Sequence, residues 1–477
     1  MNDAVLERAV ERCRERGVVV PTFAQLRDPS LVPQAILDKL AGVGLADLDP
    51  VNLFRITWKN EPTEHGGLYN TGNWVEFSSS LTGVDARIVG LEGRWFPTGS
   101  HKVGAGFGCL APRLVTGEFD PTNNKAVWPS TGNFCRGGAF DCALLSCDAV
   151  AILPEGMSRE RFDWLRDIGA EVIATPGCES NVKEIYDKCW EIRRTRPDCV
   201  IFNQFEEFGN PAWHFHVTGP AFGGVFDQIA RPGDRLAGFV SATGSAGTIA
   251  TGDYLKTIHP GVRIAAVEAL QCPTLLGNGY GDHRIEGIGD KHVPWVHNVR
   301  NTDVVCAVDD AQCLALMRLF NEPAGVAFLE GLGTDGVGDL ASLGLSGICN
   351  LVASIKMAKR FELTGQDVIV LPLTDSMDLY SSRLIEQHEQ HSGYSEAMAG
   401  RHFGRYVEAI TTDHMRELSY ADRKSLHNLK YFTWVEQQGK SVAELDELWD
   451  PGFWDRTYAQ VEEWDRQIEA FNARVSG

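Results

Sequence analysis

The stretch Phe96-Pro97-Thr98-Gly99-Ser100-His101-Lys102-Val103-Gly104 decides how the rest of the chain is read. One lysine follows Gly and Ser and precedes the Gly-rich run Gly104-Ala105-Gly106-Phe107-Gly108. Gly and Ser let a backbone come close to a ligand. A lysine amine in a partly apolar pocket holds its proton less tightly and can attack a carbonyl. Taken alone, the stretch reads better as a turn followed by a helix with an exposed lysine. The segments that follow it change that reading.

From about residue 100 short apolar runs alternate with helical patterns. Ala149–Leu153, Glu171–Ala174, Val200–Phe202, Ala237–Val240, Ile264–Val267, Val304–Ala307 and Val368–Leu371 read as strands. Between them, Phe162, Leu165 and Ile168, then Val182, Ile185, Tyr186 and Cys189, fall at helical spacing, as do Leu314–Phe320 and Ile348–Phe361. Ser158 is placed to cap the first of these helices. Such alternation implies an α/β fold, a mainly parallel sheet with helices on both faces and ligands at the C-terminal strand ends.

Outside this region the patterns differ. Residues 1–50 read as a helical extension, with Thr22 and Gln25 fitting a capping box. Residues 51–85 carry turn signals, Gly66-Gly67 among them, and short strands. Residues 386–477 read as helices and loops, with Leu445, Leu448 and Trp449 as an apolar face.

Composition narrows the function classes. The 477 residues are 43% hydrophobic and 23% charged, with a net charge of −20 and no basic block. That balance argues against nucleic-acid binding. No apolar run is long enough to span a bilayer, and the start lacks the regions of a signal peptide. The 12 Cys form no Cys-x-x-Cys pair and read as buried thiols of a cytoplasmic protein. No Cys, His and carboxylate set suggests a metal site.

Four strand-to-helix junctions are rich in Gly, Ser and Thr. The first holds Lys102. The second, Ser130-Thr131-Gly132-Asn133-Phe134, can hold a carboxylate on its amides and hydroxyls. The third, Ala242 to Thr248, follows an apolar strand and opens a helix, which suits a phosphate. In the fourth, Leu371 to Ser376, a strand ends in hydroxyl and carboxylate side chains. A reactive lysine, an anion cradle, a phosphate cup and a polar strand end are the parts a pyridoxal phosphate site requires.

Residues 95–385 resemble the fold-type II pyridoxal-phosphate enzymes, nearest the cysteine synthase and cystathionine β-synthase branch of the tryptophan synthase β superfamily. The motifs recur in order. Pro97 to Lys102 is similar to Pro-x-Gly-Ser-x-Lys, and Ser130 to Phe134 to Thr-Ser-Gly-Asn-Thr. Leu153 to Ser158 is similar to Met-Pro-x-x-x-Ser, Gly244 to Thr248 to Gly-Thr-Gly-Gly-Thr, Glu286 to Gly289 to Gln-Gly-Ile-Gly, and Asp375-Ser376 to Asp-Ser. Gln204, Asn210-Pro211, His214 and Thr218-Gly219-Pro220 also recur at the family's spacing.

The resemblance implies two open-sheet domains with pyridoxal 5'-phosphate in the cleft between them. The catalytic core would be residues 51–385, with a smaller mobile subdomain over about 105–205. Lys102 would form the Schiff base. Asn133, Gly244, Ser245, Ala246, Gly247, Thr248 and Ser376 would bind the cofactor, with Ser376 at the pyridine nitrogen. Ser130, Thr131, Gly132 and Gln204 would bind the substrate.

Three positions depart from the pattern. Phe134 replaces a small hydroxyl residue, which would reshape the pocket. Ala246 replaces a Gly, tolerable at negative φ. His101 resembles the tryptophan synthase β-subunit. Glu286 reads equally as a loop carboxylate on a solvated face.

The implied activity is β-replacement on serine, O-acetylserine or a cysteine-like amino acid through an aminoacrylate, with a thiol as possible co-substrate. The alternative is β-elimination giving a keto acid and ammonia. A non-catalytic cofactor-binding protein is a weaker reading, since it would be expected to have lost the lysine or the cup. A homodimer is expected by resemblance.

Overall fold

The computed structural model describes residues 2–62, 69–130, 132–177, 182–391 and 393–477. Thr131 and the Gly66-Gly67 pair lie outside them. The strands are β1 (Trp74–Phe77), β2 (Arg87–Glu92), β3 (Lys125–Pro129), β4 (Asp148–Pro154), β5 (Glu171–Thr175), β6 (Cys199–Ile201), β7 (Arg235–Ala242), β8 (Arg263–Ala269), β9 (Val304–Val308), β10 (Asp367–Leu373) and β11 (Met415–Glu417). They form two sheets, a seven-stranded one ordered β1-β2-β10-β7-β8-β9-β11 and a four-stranded one ordered β5-β4-β3-β6. The small sheet is parallel throughout. In the large one only the edge strands β1 and β11 run antiparallel to their neighbours.

Strands β9 and β10 are buried along their whole length. Helices cover both faces of such strands, which is why they read as unbroken apolar runs. Edge strand β5 is half-exposed and carries Glu171, which pairs with Arg196, so charge guards the open edge.

Strand β2 escapes sequence patterning because Gly90 interrupts it. A Cβ at Gly90 would come within 2.8 Å of Leu373 on the neighbouring β10, so packing demands the glycine. Strand β11 corrects the expectation that no strand follows residue 385. Its three residues, Met415, Arg416 and Glu417, pair with β9 and are too few and too mixed to give an apolar signal.

The terminal extensions fold against the α/β core. Ala9, Val10, Phe23, Val461, Ile468 and Phe471 share one hydrophobic cluster with Val103 and Phe107 of helix Lys102–Val115. Thr22 and Gln25 form the expected capping box, Thr22 Oγ1 accepting from Gln25 N at 3.1 Å. The Asp465 carboxylate of the C-terminal helix Pro451–Ser476 accepts from Phe23 N at 2.6 Å and Ala24 N at 3.1 Å. The first helix, Asp3–Arg16, is tied to the same core by a salt bridge from Arg8 to Asp120 at 2.6 Å.

Candidate active site

Lys102 is the first residue of helix Lys102–Val115. The turn before it needs Gly99 at φ +69°. His101 anchors that turn to the end of β10, its N–H donating to Thr374 O at 3.3 Å and its Nε2 lying 3.1 Å from Thr374 Oγ1. Gly104 is required by a close approach, since a Cβ there would overlap the Trp213 indole. Lys102 Nζ donates to Ser245 Oγ at 3.4 Å. Burial of the amine pulls its pKa from 10.5 down to about 8, because a low-dielectric setting disfavours the ammonium.

Strand β7 ends at Ala242 and helix Ile249–Ile258 begins after Thr248. Among the described residues, the amides of Gly244, Ser245, Ala246, Gly247 and Thr248 donate to no acceptor of the chain. They gather where the helix dipole is positive. Ala246 sits at φ +62° and not at the negative φ expected of it. A left-handed residue in such a run turns successive N–H groups inward. Asn210 props the cup from behind. Its Nδ2 donates to Ser245 Oγ at 3.0 Å, and its side chain fills the place a Cβ at Gly247 would need. Ser241 Oγ and Thr248 Oγ1 are 2.6 Å apart. The loop carrying Glu286 leans over the cup, Gly289 N donating to Thr243 O at 2.8 Å.

On the small sheet, β3 leads into Ser130, Gly132 and Asn133. Ser130 Oγ accepts from Gly132 N at 3.1 Å and from Gln204 Nε2 at 3.3 Å. Asn133 opens helix Asn133–Leu144 and its Nδ2 donates to Asp375 Oδ2 at 2.6 Å. Its buried Oδ1 has no partner among the described residues. Phe134 does not behave as expected. It is buried edge-on to Trp128, 5.3 Å between ring centroids, and Trp128 stacks on Phe202. Its bulk therefore serves the hydrophobic core.

Ser376 makes a local contact just past the end of β10. Its hydroxyl donates to Asp378 Oδ2 at 2.8 Å and accepts from Asp378 N, capping the turn Met377–Leu379. Asp375 is the deeper group. Its Oδ2 accepts from Asn133 and, at 2.8 Å, from the Tyr380 hydroxyl, while Oδ1 is buried without a partner among the described residues. Burial raises its pKa, and the nearby Arg161 guanidinium opposes the shift.

Sequence reading missed Arg161, Tyr380 and the burial of Glu286. Arg161 Nη2 donates to Tyr380 Oη at 3.2 Å, and the side chain occupies the space a Cβ at Gly132 would fill. Glu286 is buried, not on a solvated face, and pairs with both Arg161 and Arg383. Arg383 Nη2 reaches Gly156 O at 2.6 Å, and Glu160 accepts from Ser382 N at 2.9 Å. These contacts join the small-sheet segment 156–161 to the large unit. Beside them lies a cleft of about 140 Å³ lined by Met157, Arg284, Glu286, Arg383 and Gln387. Ser158 is at the helix N-cap but its hydroxyl accepts from Arg161 Nη1 at 3.4 Å rather than capping. His214, near Lys102, bonds Thr218 Oγ1 at 3.0 Å.

Five amides without acceptors, a buried amine 3.4 Å from the cup and an unpaired Asn133 oxygen fit an anionic, carbonyl-bearing cofactor. Comparison with known proteins points the same way. The chain is 28% identical over 287 residues to a probable cysteine synthase of Bacillus subtilis, covering 60% of this chain and 85% of that protein. It is 26% identical over 382 residues to the cystathionine beta-synthase of Saccharomyces cerevisiae, covering 78% of this chain and 72% of that protein. An O-acetylserine dependent cystathionine beta-synthase from Helicobacter pylori superposes with a TM-score of 0.55 at 26% identity, over 65% of this chain and 94% of that one. Residues 77–375 match the family described as pyridoxal-phosphate dependent enzyme, and the chain belongs to that family.

Proposed function

We propose that this enzyme performs β-replacement on a small amino acid of the serine, O-acetylserine or cysteine type, with a thiol or sulfide as nucleophile. The observation that carries the reading is the buried Lys102 amine, with a pKa near 8, beside the cup and near the Asn133 loop. When bound, pyridoxal phosphate supplies an electron sink for charge developing at the substrate α-carbon. The residues do the rest. The amides of Gly244–Thr248 would hold the phosphate, and Lys102 would hold the cofactor until the substrate amine displaces it, which leaves Nζ free to accept the α-proton. Ser130, the Gly132 amide and Gln204 orient the substrate carboxylate. Ser376 serves the ring nitrogen once it exchanges its contact with Asp378, and a neutral hydroxyl there withdraws little charge.

The ion pairs of Glu286 with Arg161 and Arg383 support reading residues 105–205 as a subdomain that closes on substrate. Closure excludes water and favours addition of a nucleophile over hydrolysis. We further read the enzyme as a cytoplasmic homodimer. Among the described residues no helix is long and apolar enough to cross a membrane. The dimer is checked by light scattering of the purified protein.

The activity is tested by incubating the holoenzyme with O-acetyl-L-serine, with and without sulfide. Cysteine formed only with sulfide supports replacement. Pyruvate and ammonia released at the same rate without it would establish the elimination reading instead.

A further inference from the structure

The C-terminal helix Pro451–Ser476 lies beyond the residues matched by the family, yet one of its side chains reaches the support of the phosphate cup. The Tyr458 hydroxyl donates to Asp253 Oδ2 at 2.6 Å. Asn298 Nδ2 donates to the same oxygen at 3.0 Å, and Asn301 Nδ2 to the other. Asp253, Asn298 and Tyr458 are all buried. Asp253 stands one turn into helix Ile249–Ile258, whose N-terminal end is the cup.

The other side of Tyr458 touches the second support. Its ring stacks on Phe215 with 4.1 Å between centroids and an interplanar angle of 14°. Its carbonyl accepts from His216 Nε2 at 2.8 Å. Phe215 and His216 continue the helix that supplies Asn210 to Ser245 and packs Trp213 against Gly104. One tyrosine from the extension thus touches both elements that shape the cup.

We propose that Tyr458 is a positioning residue for the cofactor phosphate, acting through Asp253; the inference rests on reading Gly244–Thr248 as the cup. A buried carboxylate holds tightly to its hydrogen-bond donors, because losing one leaves the group desolvated and unpaired, so the donors around Asp253 fix where its helix sits. Tyr458, Asn298 and Asn301 supply those donors and fix the direction of the cup helix. The extension thereby contributes to cofactor retention.

The test uses the full-length protein, stripped of cofactor with hydroxylamine and titrated with pyridoxal phosphate while visible absorbance is followed. Tyr458→Phe keeps the ring and removes the donor. It is expected to raise the cofactor dissociation constant about tenfold, the order of a hydrogen bond to a charged group. At saturating cofactor kcat should return to the wild-type value. Asn298→Ala, which removes a second donor from the same oxygen, is expected to act alike. Asp465→Ala, which loosens the same helix at its contact with Phe23 and Ala24, should lower the apoprotein Tm and leave the dissociation constant unchanged. An unchanged dissociation constant in both Tyr458→Phe and Asn298→Ala would overturn the proposal. So would a weakening in Asp465→Ala equal to that in Tyr458→Phe, since Tyr458 would then be a strut only. Wild-type protein that takes up no cofactor would overturn the cup reading itself, a separate result.

Discussion

Lys102 combines a buried amine with a place at the first turn of a helix, where positive charge is already disfavoured. Its pKa near 8 makes about one tenth of the amine neutral at pH 7 and about half at pH 8. Cofactor capture by the apoprotein, followed by stopped-flow absorbance, is therefore expected to quicken about fivefold between those pH values and level off above about pH 9. The stability consequence has the same sign. Between pH 8 and 10.5 the unfolded chain keeps a proton that the folded one has shed, so this lysine favours folding more as pH rises through that window. A rate flat from pH 6 to 9 would contradict the shift. Ala246 makes a second point. An alanine at φ +62° carries the steric cost of a left-handed residue. Ala246→Gly is expected to stabilise the protein by about 0.5–1 kcal/mol in urea unfolding. The expectation of negative φ failed because propensity describes the residue, while the surrounding chain, Asn210 included, dictates the cup's backbone.

At the scale of elements, legibility followed burial. Strands β4, β7, β8, β9 and β10 read as apolar runs because helices cover them on both faces, whereas β3, with Lys125 at its start and Pro129 at its end, is missing from the strands legible in the sequence. Strand β2 hides behind Gly90, a residue chosen by Leu373 of its neighbour, and β11 behind its shortness, with only Met415 apolar among its three residues. The Lys102, Asn133 and cup segments were legible because a close backbone approach needs Gly and Ser. Arg161 was not, because no spacing marks a helix arginine that folds back over Gly132. Glu286, Arg161 and Arg383 form the seam between the two units. Glu286→Ala removes a carboxylate paired with both Arg161 and Arg383 and is expected to destabilise the closed form by a few kcal/mol. The enzyme should escape that cost by opening, so the predicted signature is faster limited proteolysis of residues 156–161 with a higher KM. Unchanged proteolysis and KM would show that the seam plays no part in closure.

Across the whole molecule, the two terminal extensions close on each other and on the helix that carries Lys102. Asp465 accepts two backbone amides of the N-terminal region, and Asn472 Nδ2 donates to Val20 O at 2.7 Å. Asp465→Ala is expected to cost about 1–2 kcal/mol, as for loss of an N-cap acceptor, and to lower the Tm of the apoprotein by a few degrees. That the extensions share the main core was not legible, since their helices pattern like any amphipathic helix and only the tertiary contacts assign them a partner. Lys102 carries the proposed chemistry of the molecule, which is tested by the visible absorption spectrum of the purified protein given pyridoxal phosphate, compared with Lys102→Ala. A Schiff-base band in the wild type that is absent from the variant, with the cup variant Gly247→Asp also colourless, is the predicted result. A wild-type protein that stays colourless, or a Lys102→Ala protein with the same band, would contradict the account.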